Sequence, residues 1–95
     1  MRLSKYESQV IKKLVEKYII NAEIYLFGSR VNDNRKGGDI DILIISENKT
    51  PLRILRKINI ELEEKLGEQK IDIVSFSKHK LSPFAKLALL EGIKL

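Results

Sequence analysis

The chain has 95 residues, and this length predicts a single domain, residues 1–95, because chains divide into several cores only at two or three times this length. It contains no cysteine, which excludes disulfide bonds and thiolate zinc sites and fits a reducing compartment. Eighteen Lys and Arg against thirteen Asp and Glu give a net charge of +5, which favours polyanionic or phosphorylated partners.

The first half of the chain predicts a helix, a strand and a long polar connection. Ser4 and Glu7 form a capping box, and apolar residues at the spacing of one helix face then predict a helix over residues 5–20. Residues 23–27 predict a short strand that stops at Gly28. Residues 28–38 are polar, basic and glycine-rich. So long an irregular connection in a small domain is usually functional.

The second half predicts two further strands and two helices. Residues 39–45 alternate and then become continuously apolar, which is typical of a strand that is partly buried on both faces. Helical periodicity follows from Pro51 to Gly67, a third alternating run covers residues 70–76, and Ser82 opens a last helix that Gly92 closes. The predicted order is α-β-β-α-β-α, an α+β fold with one three-stranded sheet and helices packed on it.

Three of the four aspartates lie in predicted strands, where this residue is disfavoured. Asp39 and Asp41 are two residues apart, so both carboxylates leave the same face of their strand. Asp72 holds the corresponding position in the third strand. If the two strands are neighbours, three carboxylates converge on one patch that suits Mg²⁺. The alternative is that these residues are solvated charges at strand ends, which discourage aggregation.

The connection after the first strand is a candidate phosphate-binding segment. Gly28 allows backbone N–H groups to approach a phosphate, and the Ser29 hydroxyl can add a hydrogen bond. Arg30, Arg35 and Lys36 add positive charge to the same segment. An ordinary turn followed by a solvated basic loop explains these residues equally well.

Taken together, Gly28-Ser29, the loop and Asp39-Ile40-Asp41 resemble the minimal nucleotidyltransferases of the DNA polymerase β superfamily. The signature of that family is Gly-Ser, a loop of about ten residues, and then Asp-x-Asp. The resemblance covers nearly the whole chain, because the helices and strands also follow the order of the family. It implies the nucleotidyltransferase fold, an α/β sandwich with a mixed sheet.

The resemblance also implies an activity and a set of site residues. Asp39, Asp41 and Asp72 would be catalytic and would bind two Mg²⁺ ions, for which Mn²⁺ can substitute. The nucleotide-binding residues would be Gly28, Ser29 and Arg30. The enzyme would move a nucleoside monophosphate from an NTP to a hydroxyl, and the expected transfer is of AMP from ATP.

The size of the chain leaves no room for an acceptor-binding domain, so specificity should come from a partner chain or from self-association. Small members of the family pair with a helical HEPN-type protein encoded nearby, as the second subunit of an enzyme or as the antitoxin of a toxin whose tyrosine they adenylylate. Two other readings are a catalytically silent module that neutralises or completes a partner, and a basic nucleic-acid-binding domain. The Lys-rich helix faces carry no interleaved aromatic residues, which argues against the nucleic-acid-binding interpretation.

The sequence shows no stretch that could enter a membrane. The longest apolar run, Ile40–Ile45, is interrupted by Asp41 and is far shorter than the ~20 residues that cross a bilayer. The first seven residues contain no apolar segment of the secretory kind. We therefore expect a cytoplasmic protein without membrane contacts.

Overall fold

The structure, a computed structural model, describes residues 3–28, 40–67 and 70–95. Within these residues the chain forms three helices and a four-stranded sheet, and no described helix is long and apolar enough to cross a membrane. The elements are α1 (Lys5–Tyr18), β1 (Glu23–Phe27), β2 (Ile40–Ser46), α2 (Leu52–Leu66), β3 (Ile71–Ser77), α3 (Pro83–Glu91) and β4 (Ile93–Lys94). The strand order is β3-β2-β1-β4, in which β2 and β3 are parallel and the other neighbours are antiparallel.

The mixed α+β architecture predicted from the sequence is confirmed, but the predicted three-stranded sheet is one strand short. The additional strand, β4, has two residues that pair with Tyr25 and Leu26 of β1. Two residues are too few to show the alternation by which a strand is recognised in a sequence. β4 therefore follows the last predicted helix without a signal of its own.

The helix ends follow local hydrogen bonding. At the start of α1 the Ser4 hydroxyl accepts the Glu7 N–H at 3.1 Å, and the Glu7 carboxylate accepts the Ser4 N–H at 3.0 Å, which confirms the capping box. The helix ends at Tyr18, two residues before the predicted end, because Ile19 is already extended. The hydroxyl of Ser82 caps α3 by accepting a backbone N–H of its first turn at 3.1 Å.

Different helices cover the two faces of the sheet. The main core lies between the sheet and helices α1 and α2, and its fully buried side chains are Ile11, Val15, Leu26, Ile40, Ile42, Ile44, Ile58 and Leu62. A smaller cluster on the opposite face packs Leu43 and Ile45 against Ala88 of α3. Because side chains alternate along a strand, Asp41 shares the α3 face with Leu43 and Ile45.

The α2 face that packs on the sheet should dominate the stability of the fold. We expect Leu62→Ala, which empties a fully buried position, to lower the free energy of unfolding by about 2–5 kcal/mol. Ile60→Ala on the same helix is the matched control, because Ile60 is 57% exposed; its effect should stay within about 0.5 kcal/mol. Urea unfolding measures both changes, and equal losses would contradict the assigned core.

A polar contact ties α1 to α2 at the protein surface. The Tyr18 hydroxyl donates a hydrogen bond to the Glu61 carboxylate, and the Lys17 ammonium lies 3.0 Å from the other oxygen of the same group. The Tyr18 hydrogen bond, followed by the bond from Lys17, holds the pKa of Glu61 below its ordinary value. The same contact raises the pKa of Tyr18. The ionised form of Glu61 is therefore favoured in the folded state.

This contact predicts a pH-dependent contribution to stability. Because the folded-state pKa of Glu61 is lowered, its contribution is fully present above the unfolded-state value and is lost as the pH falls through the folded-state value. We expect Glu61→Gln to be less stable than the parent protein near neutral pH. The difference should shrink as the solution is acidified below about pH 4.5, the ordinary value for Glu. Thermal unfolding across this pH range measures the difference in stability between Glu61→Gln and the parent protein. A difference that does not change with pH would contradict the contact.

Candidate functional site

Two of the predicted site carboxylates lie side by side near the start of β2 and β3. Asp41 and Asp72 are partners in the parallel register of these strands. Neighbouring strands lie about 4.8 Å apart, and paired residues point to the same face of the sheet. Asp41 is half-buried and Asp72 is exposed. The structure therefore brings both side chains to one patch, and that patch is accessible.

Gly28 lies against this patch at the end of β1. Its neighbour Phe27 pairs with Asp41 in the antiparallel register of β1 and β2. A Cβ atom on Gly28 would overlap a carboxylate oxygen of Asp41 and would lie 3.1 Å from the Asp41 Cγ atom. The φ angle of Gly28 is +75°, a backbone conformation that residues with a side chain rarely adopt. This position thus requires glycine for its backbone conformation and for the close approach of Asp41.

The other predicted site residues lie outside the described residues. These are Ser29, Arg30 and Asp39, together with Arg35 and Lys36 of the basic connection. Among the described residues, no group of three His, Cys, Asp or Glu side chains is placed to hold a metal ion. The described part of the proposed donor set is therefore the pair Asp41 and Asp72.

The chemistry of this pair fits a divalent cation. Two carboxylates side by side on neighbouring strands repel each other, and such pairs destabilise a sheet unless their charge is compensated. Mg²⁺ prefers oxygen ligands and is commonly held by one or two carboxylates together with substrate phosphates. Asp41 and Asp72 supply such a donor set on an accessible face, with the Gly28 backbone adjoining it.

An aromatic cluster connects this patch to α3. The Phe84 ring packs edge to face on Phe27, with 5.6 Å between the ring centroids, and lies 6.4 Å from the ring of Phe76. All three phenylalanines of the chain meet here. The sequence prediction did not include this cluster, because the three residues are far apart in the chain. The one sequence feature that pointed to this cluster was Phe84, which directly follows the helix start at Ser82-Pro83.

A cleft of about 730 Å³ lies at the other end of the sheet, and none of the predicted site residues that the structure describes lines it. It is lined by residues at the end of α1, after β2 and at the start of α2, among them Tyr18, Ser46 and Thr50. Ser46 is five residues beyond Asp41, roughly 16 Å along the strand at ~3.3 Å per residue. We assign the functional site to the carboxylate patch, because the donor chemistry is found there.

Comparisons with known proteins agree with the fold and identify a family. Residues 7–95 match the family model described as a nucleotidyltransferase domain. The chain is similar to a crystal structure of a toxin–antitoxin MntA–HpeT mutant, with a TM-score of 0.74, 23% identity, and coverage of 93% of this chain and 70% of the other. It is also similar to a structure of the tri-AMPylated Shewanella oneidensis HEPN toxin in complex with MNT antitoxin, with a TM-score of 0.72, 21% identity, and coverage of 97% and 71%. No match was found among curated proteins.

Proposed function

Because the chain belongs to the nucleotidyltransferase domain family, we propose that it transfers AMP from ATP to a hydroxyl group on another molecule. The observation that carries this proposal is the in-register pair Asp41 and Asp72 with Gly28 packed against it. Two acidic side chains beside a phosphate-accessible backbone supply the groups that nucleotidyl transfer requires.

The order of the strands suggests how the substrates lie. Gly28 directly follows β1, Asp41 lies on the inner strand β2, and Asp72 lies on β3 at the edge of the sheet. We place the triphosphate at Gly28, with Ser29 and Arg30 as its further ligands. The acceptor hydroxyl then approaches from the exposed β3 side, next to Asp72.

Three carboxylates are assigned to metal binding in this proposal: Asp39, Asp41 and Asp72 would hold two Mg²⁺ ions. When bound, the ions would lower the pKa of the acceptor hydroxyl and stabilise the negative charge that develops on the phosphates. Asp41, the central and half-buried residue, would act as a metal ligand between the Gly28 and Asp72 sides of the patch. Asp72, the exposed residue, accepts the proton of the acceptor hydroxyl.

We propose a tyrosine of a HEPN-type helical protein as the acceptor. The support comes from one of the similar structures, in which the HEPN toxin is described as tri-AMPylated and is bound to an MNT antitoxin. That description applies to the Shewanella oneidensis complex. In the present chain, the exposed position of Asp72 leaves room for a side chain presented by a second protein.

Mass spectrometry of the acceptor tests this proposal. The chain is incubated with ATP, Mg²⁺ and the HEPN-type protein encoded beside it, and the products are digested and mapped. We expect an AMP adduct on a tyrosine of the second protein, and no adduct when Asp41→Asn replaces the parent chain. A stable complex that never carries AMP would instead identify the chain as a silent binding module.

A further inference from the structure

Helix α3 buries its two alanines and exposes three of its four Phe and Leu side chains, while the fourth, Leu89, is partly buried against the sheet. Ala85 and Ala88 are buried against the sheet, with exposed fractions of 0% and 5%. Phe84, Leu87 and Leu90 are 49%, 54% and 84% exposed. An amphipathic surface helix normally shows the opposite arrangement, with its large apolar residues turned to the core. We call these three exposed residues the α3 strip.

The α3 strip is a concentrated surface feature. Its residues are spaced three apart, so they follow one side of the helix. The remaining exposed large apolar residues of the described chain are dispersed outside α3: Tyr6 on α1, Ile20 after α1, and Leu52 and Ile60 eight residues apart on α2. Scattered exposed apolar residues need no explanation, whereas a contiguous apolar patch on a small protein marks an interaction site.

The strip adjoins the candidate functional site. Asp41 and Asp72 lie on the sheet face that α3 covers, because they alternate with residues that face the main core. Phe84, at the start of the strip, packs on Phe27, which is the register partner of Asp41. A protein bound to the strip therefore lies next to the carboxylates.

The charges around the strip disfavour a second copy of this chain. α3 runs from Pro83 to Glu91, so its centre is Leu87. Two antiparallel α3 helices related by a twofold axis at Leu87 would bring the two copies of the exposed Lys86 close together. Lys80, just before the helix, is also exposed. Glu91, at the C-terminal end of α3, is exposed as well, so the basic residues lie towards the N-terminal half of the strip. Together with the net charge of +5, Lys80 and Lys86 favour a different chain with acidic residues beside this part of its apolar face.

We propose that the α3 strip is the docking surface for the acceptor protein, and that this protein contributes an apolar face bordered by Asp and Glu. The inference rests on the proposed function, because the acceptor hydroxyl must reach Asp72 from a bound protein. Docking on α3 provides the acceptor recognition that a catalytic patch of a few residues cannot provide. The lysines near the strip set the orientation of the partner.

Titration calorimetry with the HEPN-type protein encoded beside this chain tests the docking surface, with nucleotide omitted. We expect Leu87→Glu to weaken Kd at least tenfold and Lys86→Glu to weaken it several-fold. Ile60→Glu is the control, because Ile60 is exposed to a similar degree on α2, and its Kd should equal that of the parent chain. Thermal unfolding of each variant confirms that the fold is intact.

Three results would overturn the docking proposal. They are an unchanged Kd for Leu87→Glu, a parent chain that does not bind the partner, and self-association of the parent chain that Leu87→Glu abolishes in sedimentation. Asp72→Asn separates this proposal from the function, because it should bind the partner normally and fail to transfer AMP. Strip-dependent binding without any transfer by the parent chain would leave docking intact and reject the proposed activity.

Discussion

Asp41→Asn should reduce AMP transfer at least about a thousandfold, which corresponds to ~4 kcal/mol of lost transition-state stabilisation. The substitution replaces an anionic oxygen by a neutral amide at the centre of the row formed by Gly28, Asp41 and Asp72. A neutral side chain no longer balances the charge of a divalent cation. Initial rates with labelled ATP and saturating Mg²⁺ measure the effect, and circular dichroism verifies the fold.

The control for this prediction is an acidic residue away from the patch. Glu64 is exposed on α2, and Glu64→Gln removes the same charge with no expected change in rate. Comparison of Asp72→Asn with Asp72→Ala at saturating Mg²⁺ separates metal binding from proton transfer. The Asn amide keeps an oxygen ligand but cannot accept a proton, so equal losses would indicate proton transfer and a smaller loss for Asp72→Asn would indicate metal binding. An Asp41→Asn protein that keeps more than a tenth of the parent rate would contradict the assignment of Asp41.

Gly28→Ala should combine a moderate loss of stability with a large loss of activity. The positive φ angle of Gly28 costs a residue with a Cβ atom about 1–2 kcal/mol. The new methyl group would also overlap the Asp41 carboxylate and displace it from Asp72. A displacement of about 1 Å in a catalytic group is enough to cost roughly a hundredfold in rate. Urea unfolding and initial rates measure the two effects separately.

Gly67→Ala is a matched control for this substitution. Gly67 has a φ angle of +87°, close to that of Gly28, but an added Cβ atom would meet no atom within 4 Å. Both variants place a Cβ atom at a positive φ angle, but only Gly28→Ala brings it against Asp41. We expect both variants to lose stability, with full activity for Gly67→Ala. Equal activities for the two variants would show that the close approach of Gly28 to Asp41 has no catalytic role.

The fold was largely predictable because its elements carry strong local signals. The structure places helices and strands where these signals predict them. The signals are the capping box at Ser4, the helix start at Ser82 and the alternating runs around Asp41 and Asp72. The C-terminal end of α1 and the presence of β4 were not predictable in this way. Helix ends vary by one or two residues without a clear signal in the sequence, and β4 depends on its pairing with β1.

The candidate site was predictable in part. Alternation places Asp41 on the opposite side of β2 from Ile40 and Ile42, but the sequence could not establish that β2 and β3 are adjacent and in register. The contact between Gly28 and Asp41 likewise depends on how β1 pairs with β2. Asp39, Ser29 and Arg30 lie outside the described residues, so their roles remain predictions.

The α3 strip was not predictable from periodicity. Helix α3 is apolar on most of its circumference, and a helix of this kind is expected to be buried all round. The structure instead packs the side that carries Ala85 and Ala88 on the sheet and leaves Phe84, Leu87 and Leu90 exposed. Small residues allow the helix to lie close to the strands. Tertiary packing therefore determines which of the two apolar sides of α3 faces the sheet.

The central claim, that this chain moves a nucleoside monophosphate, is tested most directly by the position of a label in ATP. Two parallel reactions contain the chain, Mg²⁺ and the proposed HEPN-type partner, with ATP labelled at either the α- or the γ-phosphate. We predict that the α-label is transferred to the second protein and that the γ-label is released with pyrophosphate. Transfer of the γ-label, or of neither label, would contradict the proposed nucleotidyl transfer.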